Sequence, residues 1–375
     1  MEYTRTFREL KTLFSSDKET ITIPDSDIEI RNIRFMSDVP DEGFLNVNDT
    51  LIPENRSFSY PVFTPKNAGS EKVILLLHGL NERSWVKYLV WAFWLAEHTN
   101  SYVILFPISF HINRSPESWK DPREMIPHMK ERNSMLGEIN MSSFANIALS
   151  ERLSEEPLRF FNSGHQTVTD IVKLVKSVKD GQHKVIPKCN NIDIFAYSIG
   201  AFLAEILMMG NPENLFTESR LFIFCGGSVF SQMQGSSKLI MDSYAFEKLY
   251  SFYLNDFEKS IKERGPAADF LSKSQVGMAF RSMIDFSRFR SFREGILKKL
   301  RNQIHSVTLQ KDLVIPANAV VATLNKLKTN KIVDVWDFPY AYCHENPFPV
   351  FASPLNEKVD NCFEKVFASA KDFLR

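Results

Sequence analysis

The stretch that decides the fold is NIDIFAYSIGAFLAEIL, residues 191–207. Its first half is apolar and rich in Ile and Phe, which predicts a buried strand, and its second half has the apolar spacing of a helix. One Ser, Ser198, stands at the junction. A backbone that turns sharply from strand to helix forces this residue to positive φ, which costs a non-glycine residue roughly 1–3 kcal/mol. Such strain persists mainly where it has a purpose, and here we expect the turn to present the Ser198 hydroxyl above the sheet.

Small residues on both sides of Ser198 fit such a turn. Ala196 lies two residues before it and Gly200 two residues after it, and we expect the turn to bring these two positions close together. The N–H group of Ile199 is then free at the helix N-terminus, where it can bind an anion. This is the pattern of a nucleophile elbow, G-x-S-x-G, with Ala196 in place of the first glycine.

Strands and helices alternate along the chain on both sides of this elbow. Continuous apolar runs predict strands at residues 72–79, 102–107, 191–197, 220–227, 304–310 and 331–338. Helical spacing follows at residues 84–98, 165–180, 199–209, 316–328 and 357–374. Strands that are buried on both faces and alternate with helices predict an α/β fold, with a mostly parallel sheet covered by helices on both faces.

Three regions stand apart from this alternation. Residues 1–65 contain a short amphipathic start and strand-like pieces, which predict a strand-rich extension packed on a main domain of residues 66–375. Residues 108–160 are expected to be irregular, and residues 228–300 to form several helices. Both stretches follow predicted strands, so they lie above the carboxyl ends of the strands, where ligands bind in open α/β sheets. We interpret them as insertions that form a cap.

A Ser hydroxyl is a poor nucleophile at neutral pH and needs a His within hydrogen-bond reach, held in turn by a carboxylate. His344, in WDFPYAYCHENPFP, follows the last predicted strand and precedes the final helix. Asp312, in VTLQKDLVIP, lies in the turn after a strand. An isolated Asp in a turn is usually a capping residue, but this position favours a functional one. Asp337, at the end of the last strand, is the fallback, and Asp334, within that strand, is a weaker candidate.

Four motifs, each at its expected place, now carry a family resemblance. They are LLLHGL (75–80), AYSIGA (196–201), QKDLVIP (310–316) and CHENPF (343–348). Over roughly residues 65–375 the chain resembles the α/β-hydrolase superfamily, in which the catalytic residues follow the order Ser, Asp or Glu, His. The resemblance, closest to serine esterases and lipases, implies an α/β-hydrolase fold with an inserted helical cap. It also implies an oxyanion hole formed by the backbone N–H groups of Leu80 and Ile199.

The activity that the resemblance implies is cleavage of a carboxylic ester. Ser198 would form an acyl-enzyme, with His344 as the base and Asp312 as its partner. The same triad also serves thioesterases, amidases and peptidases, and nothing in the sequence chooses between them. The alternative from another class is a binding protein on a hydrolase fold that has lost its activity, since fold does not fix function.

A segment rich in Phe and Arg, MAFRSMIDFSRFRSFREG (278–295), has two interpretations. The favoured one is an amphipathic helix with a Phe face in the core and a solvated Arg face. The other is an acyl or aryl pocket with a basic rim that binds an acidic group of the substrate.

The composition of the chain limits the classes of molecule that it is expected to bind. The 375-residue chain has 44% hydrophobic and 24% charged residues and a formal net charge of zero, so we expect a globular protein without affinity for nucleic acid. No apolar run approaches the length of a membrane span, and the charged first residues do not fit a signal peptide, so we expect a cytoplasmic location. The four Cys form no CxxC pair, and no metal or nucleotide motif is present, so no metal and no cofactor are predicted. The expected partner is a small-molecule acyl substrate; the oligomeric state is left open.

Overall fold

The protein is built around one nine-stranded sheet, seen in a computed structural model that describes residues 2–38, 47–66, 72–262, 265–324, 332–351 and 354–374. The strands are β1 (Thr20–Thr22), β2 (Ile28–Met36), β3 (Ser57–Pro65), β4 (Lys72–Leu77), β5 (Tyr102–Leu105), β6 (Asn191–Tyr197), β7 (Leu221–Phe224), β8 (Ile304–Leu309) and β9 (Val333–Trp336). They lie in the order β1-β2-β3-β5-β4-β6-β7-β8-β9.

Helices fill most of the remaining described chain. They are α1 (Tyr3–Leu13), α2 (Val47–Thr50), α3 (Pro53–Arg56), α4 (Val86–Thr99), α5 (Pro122–Leu136), α6 (Ile147–Glu155), α7 (Leu158–Lys179), α8 (Ile199–Gly210), α9 (Ser243–Ser251), α10 (Phe257–Lys262), α11 (Gly265–Lys273), α12 (Gln275–Ile284), α13 (Arg290–Lys299), α14 (Ala317–Leu324) and α15 (Asn356–Phe373). Short 3-10 turns occupy Ile112–Arg114, Glu117–Lys120, Pro212–Asn214 and Phe230–Gln232, and a π-helical turn, Phe252–Asp256, joins α9 to α10.

The sheet is parallel from β5 to β9 and antiparallel at its other edge. Strand β3 pairs antiparallel with β5, and β2 and β1 continue the sheet beyond it. The parallel strands are covered on both faces by helices, and β6 passes directly into α8 at Ser198. This arrangement confirms the predicted α/β-hydrolase fold. The proposed boundary near residue 65 stays a prediction.

Strand β6 shows why the parallel strands have continuous apolar sequences. Ile194 and Ala196 pack on one face, in the core formed with α7 and α8. Phe195 and Tyr197 pack on the other face, in the core formed with α4 and α15. Because both faces are buried, no polar residue is needed at alternate positions, and the period of two disappears from the sequence.

The stretch 108–160 is not irregular, and that expectation was wrong. It contains α5 and α6 in addition to short turns. Helix α5 begins at Pro122, where proline costs no hydrogen bond, and the Asp121 side chain caps it by accepting from the Arg123 N–H at 2.8 Å. Pro127 lies inside this helix, and such a residue makes a helical sequence look irregular. The predicted helices of 228–300 are present as α9 to α13, while their role as a cap stays a prediction.

The Phe- and Arg-rich segment is two helices with a break, not one amphipathic helix with a solvated Arg face. Helix α12 ends at Ile284 and α13 begins at Arg290. The Arg293 side chain is buried and donates to the carbonyl oxygens of Ser282 at 2.5 Å and Phe286 at 2.6 Å. A guanidinium group carries five donors, so it can satisfy carbonyl groups left unpaired where a helix ends. Arg293 is therefore a buried structural residue and not part of a solvated face.

We predict that Gly200→Ala lowers the free energy of unfolding by about 2 kcal/mol, the cost of overpacking a tight contact. A Cβ at this position would lie 2.6 Å from the Leu77 oxygen and 2.7 Å from the His78 oxygen, which are backbone atoms that cannot turn aside. Urea unfolding measures the change. Gly295→Ala is the matched control, because a Cβ in this exposed part of α13 meets nothing within 4 Å. The control should gain about 0.5–1 kcal/mol, and equal losses in both variants would contradict the prediction.

Candidate active site

Ser198 occupies a strained turn between β6 and α8, with φ 58° and ψ −123°. The positive φ is the one that the sequence predicts. The sequence predicts that Gly200 must be small because the turn brings it close to Ala196, and this is only partly right. The atoms nearest to a Cβ at Gly200 belong instead to Leu77 and His78, at the end of the adjacent strand. Helix α8 starts directly against the end of β4, so the backbone there leaves no room for a Cβ.

A chain of hydrogen bonds joins three side chains that are distant in sequence. The Oγ of Ser198 lies 2.6 Å from the Nε2 of His344, and the Nδ1 of His344 lies 2.7 Å from the Oδ2 of Asp312. These residues follow β6, β9 and β8, whose carboxyl ends meet at one edge of the sheet. Each is at most 5% exposed, so water competes little for these hydrogen bonds.

The Asp312 carboxylate is held on both of its oxygens. Its Oδ1 accepts from the backbone N–H groups of Val314 and Ile315, each at 2.9 Å, while Oδ2 faces His344. An ionised carboxylate can only accept, so the Nδ1 of His344 carries the proton and Nε2 is left to accept from the Ser198 hydroxyl. The tautomer that a general base requires therefore follows from the position of Asp312.

The other two carboxylates considered from the sequence do not contact His344. Asp337 accepts from the Tyr342 hydroxyl at 2.8 Å and from the Lys311 ammonium at 2.9 Å, at the surface. Asp334 lies 3.5 Å from the Nε2 of His305. Asp337 is held by a surface lysine and tyrosine, and its pKa is lowered chiefly by hydrogen bonds from those two side chains.

Tyr197 is a residue of this site that sequence reasoning missed. Its hydroxyl donates to the backbone oxygen of His344, and its ring stacks on the imidazole with centroids 5.6 Å apart and planes inclined by 18°. Burial raises the pKa of this phenol well above its usual value, so it stays a donor. Its position next to Ser198 in the chain was the available signal, because the end of β6 must face the loop that carries the base.

A second missed residue, Lys87, connects two loops at the site. Its ammonium group donates to the backbone oxygen of Glu345 at 2.9 Å and forms an ion pair with Glu82. The Tyr88 hydroxyl donates to Glu82 at 2.7 Å and accepts from the N–H of Gly79 at 3.0 Å. The loop after β4 is thereby tied to the loop after β9. Glu345 lies 258 residues from Lys87 in the chain, so no local pattern reveals this connection.

Leu80 and Ile199, the candidates for an oxyanion hole, line one small cavity together with Ser198. The cavity has a volume of about 40 Å³. In the described part of the chain, neither the N–H of Leu80 nor that of Ile199 donates to a protein acceptor. Two free amides beside a hydroxyl are an arrangement that can stabilise a negatively charged oxygen.

A second cavity, of about 60 Å³, shares the walls Leu80, Phe160 and Ile199 with the first. Its lining is mostly aliphatic and aromatic and includes Ile108, Phe161, Val168, Phe202, Leu203, Ile206, Phe270, Val276 and Phe280. The space beside Ser198 therefore suits an apolar group.

Neither a metal cluster nor a membrane helix occurs among the residues that the structure describes. These residues contain no group of three or more His, Cys, Asp or Glu side chains that could hold a metal ion. Within the same ranges, every helix is too short or too polar to cross a bilayer.

The chain matches one family over most of its length. The sequence model of a family of unknown function, DUF6051, matches residues 38–375. No curated protein matches the chain.

Several solved structures are similar to the chain at low identity. EstE1, a thermophilic carboxylesterase from a metagenomic library, is 12% identical, with 100% of this chain and 96% of EstE1 covered and a TM-score of 0.46. A hyperthermophilic esterase from Pyrobaculum calidifontis is 10% identical, with 99% and 88% covered and a TM-score of 0.44. The peroxisomal α/β-hydrolase Lpx1 of Saccharomyces cerevisiae is 14% identical, with 93% and 90% covered and a TM-score of 0.42. At these values the likenesses indicate neither an activity nor a substrate for this chain.

We predict that Lys87→Met loosens the loops after β4 and β9 and lowers the free energy of unfolding by about 2 kcal/mol. The methionine keeps the length of the side chain but loses two charge-assisted interactions in a largely buried position. Hydrogen exchange of the amides at residues 79–82 and 343–346 should become faster.

Lys176→Met provides the control for this measurement, because Lys176 pairs with Glu213 at the surface, where both side chains are about half exposed. Such a pair contributes little to stability. If exchange at the two loops were equally slow in the Lys87 and Lys176 variants, Lys87 would not hold them together.

Proposed function

We propose that this chain, which belongs to the family of unknown function DUF6051, is a serine hydrolase that cleaves a carboxylic ester through an acyl-enzyme. The observation that carries the proposal is the buried hydrogen-bond chain from Ser198 through His344 to Asp312, with separations of 2.6 Å and 2.7 Å. Nucleophile, base and orienting carboxylate within such distances are the geometry that acyl transfer requires.

In the first step the Oγ of Ser198 attacks the carbonyl carbon of the ester while its proton passes to the Nε2 of His344. The carbonyl oxygen becomes an oxyanion, and the N–H groups of Leu80 and Ile199 are the donors available to stabilise it. Asp312 keeps the imidazole in the required tautomer and stabilises the positive charge that it acquires. A single such backbone donor contributes about 3–4 kcal/mol to the transition state.

In the second step the oxyanion collapses and the bond to the alcohol oxygen breaks. The proton on the Nε2 of His344 moves to the departing alcohol, leaving Ser198 acylated. A water molecule then repeats the sequence: it gives a proton to His344, attacks the acyl carbon, and releases the carboxylic acid as Ser198 recovers its proton.

The apolar walls beside Ser198 support a small-molecule substrate with an apolar acyl group. Phe160 lies at the start of α7, where the insertion at 108–160 ends, and Phe230 and Phe280 come from the insertion at 228–300. We propose that these insertions act as the cap that covers the apolar acyl chain and selects the substrate. The same catalytic groups can attack the carbonyl of an ester, a thioester or an amide. An assay with each class of substrate is therefore needed to distinguish them.

We predict that Ser198→Ala abolishes labelling by a fluorophosphonate probe and lowers kcat/KM for p-nitrophenyl esters by at least about 10⁴-fold. The control is Ser219→Ala, since Ser219 is also buried but precedes β7, at the opposite end of the strands. Labelling that persists in the Ser198 variant would refute the assignment. A wild-type protein that neither reacts with the probe nor hydrolyses any ester, thioester or amide would favour the binding-protein alternative.

We also predict that Asp312→Asn lowers kcat by about 10⁴-fold with little change in KM. The asparagine oxygen can still accept from Val314 and Ile315, whereas its amide would donate to the Nδ1 of His344 and stabilise the wrong tautomer. Asp337→Asn is the matched control and should change kcat less than twofold. A larger effect at Asp337 than at Asp312 would transfer the carboxylate role to Asp337.

A further inference from the structure

His111 lies between two residues with a strained backbone. Phe110 has φ 65° and Ile112 has φ 51°, in a region that aromatic and β-branched residues rarely adopt. Hydrogen bonds hold both residues there: the N–H of Phe110 donates to Asn55 at 3.2 Å, and the N–H of Ile112 donates to Glu82 at 3.0 Å. Strain of this kind persists where the surrounding structure enforces it, most often at functional sites.

The hydrogen bonds of the His111 ring leave one acceptor unused. Its Nδ1 lies 2.8 Å from the backbone oxygen of Ser109, and because a carbonyl oxygen only accepts, Nδ1 carries the proton. Burial lowers the pKa of this imidazole to about 4, so at neutral pH the ring is uncharged and Nε2 has a free lone pair. In the described part of the chain, this buried Nε2 has no hydrogen-bond partner.

His111 is one of the residues that line the 60 Å³ cavity, together with Leu80 and Ile199, the proposed oxyanion-hole residues that also line the cavity at Ser198. Elsewhere the cavity wall is mostly apolar, with Phe161 and Val168 among its residues. Another polar side chain of the wall, that of Ser163, is already paired, since its hydroxyl donates to the Phe160 oxygen at 3.3 Å. A group bound at Ser198 and extending into this cavity would pass His111, whose Nε2 is buried and unpaired.

We propose that the Nε2 of His111 accepts a hydrogen bond from a hydroxyl group on an otherwise apolar acyl chain, so that the substrates are esters of hydroxylated carboxylic acids. This inference builds on the proposed function and names the substrate class of the same site. A carboxylate on the chain could not donate to Nε2, and an ammonium group would lose its hydration among apolar walls. An unhydroxylated chain would leave the buried acceptor unpaired, and sites built for a hydroxyl discriminate strongly against analogues that lack it.

The test uses the Ser198→Ala protein, which cannot turn over its ligand. Calorimetric titration compares methyl octanoate with the positional isomers of its monohydroxylated derivative, in which the hydroxyl lies at one of carbons 3 to 8. We expect one isomer to bind at least about tenfold more tightly than methyl octanoate, because it pairs an otherwise unsatisfied acceptor.

Two variants in the Ser198→Ala background assign this preference. His111→Asn can keep a donor to the Ser109 oxygen in place of Nδ1 but has no atom at the position of Nε2, so the preference should fall to about onefold. Val168→Ala removes only apolar wall and should weaken binding of both ligands equally. Thermal unfolding checks that each variant is folded.

A second measurement needs no change at residue 111. In histidine-labelled Ser198→Ala protein, the ¹⁵N resonance of the His111 Nε2 should move upfield with the preferred isomer and stay in place with methyl octanoate. The proposal is overturned if no isomer is preferred, if the preference survives in folded His111→Asn protein, or if the resonance does not respond. Should the preference hold while wild-type protein hydrolyses no ester, the proposed hydrolase activity fails and the hydroxyl site stands.

Discussion

The strained backbone of Ser198 is the constraint on which the rest of the site depends. Its φ of 58° turns the chain from β6 into α8 within one residue, so that a hydroxyl and the first free N–H of a helix emerge together. The contact of Gly200 with the end of β4 permits the turn, because any side chain there would meet backbone oxygens. The unfavourable backbone conformation of Ser198 is offset by the packing of helix α8 against the sheet.

From that turn, the site is completed by parallel strands that end at the same edge. The loops after β8 and β9 carry Asp312 and His344 to Ser198, while Tyr197 and Lys87 hold the backbone oxygens of His344 and Glu345. Groups held in this way need not reorganise when charge develops, which is the principal way in which proteins stabilise polar transition states. The residues around His344 thus contribute to the proposed chemistry by holding the loop that carries the imidazole.

Features that depend on a few consecutive residues could be predicted from the sequence, whereas features that depend on contacts between distant residues could not. Strands such as β4 and β6 are buried on both faces and are therefore recognisable in the sequence as continuous apolar runs. The helices between them are recognisable by the helical spacing of their apolar residues. Helix α5 was missed because Pro122 and Pro127 resemble loop residues unless a cap at Asp121 is known to be formed. Arg293 was misjudged because its partners are carbonyl groups exposed only by the break between two helices.

The sequence by itself determined the alternating α/β architecture and the strained junction at Ser198, because burial and backbone geometry act over a few consecutive residues. Only the tertiary structure decided that Asp312, and not Asp337, lies against His344, since that choice depends on distances between loops that are separate in the chain. It likewise decided that Lys87 bridges two loops and that His111 faces an apolar cavity. A hydrogen bond acts over about 3 Å, and no sequence pattern encodes which distant groups will come that close.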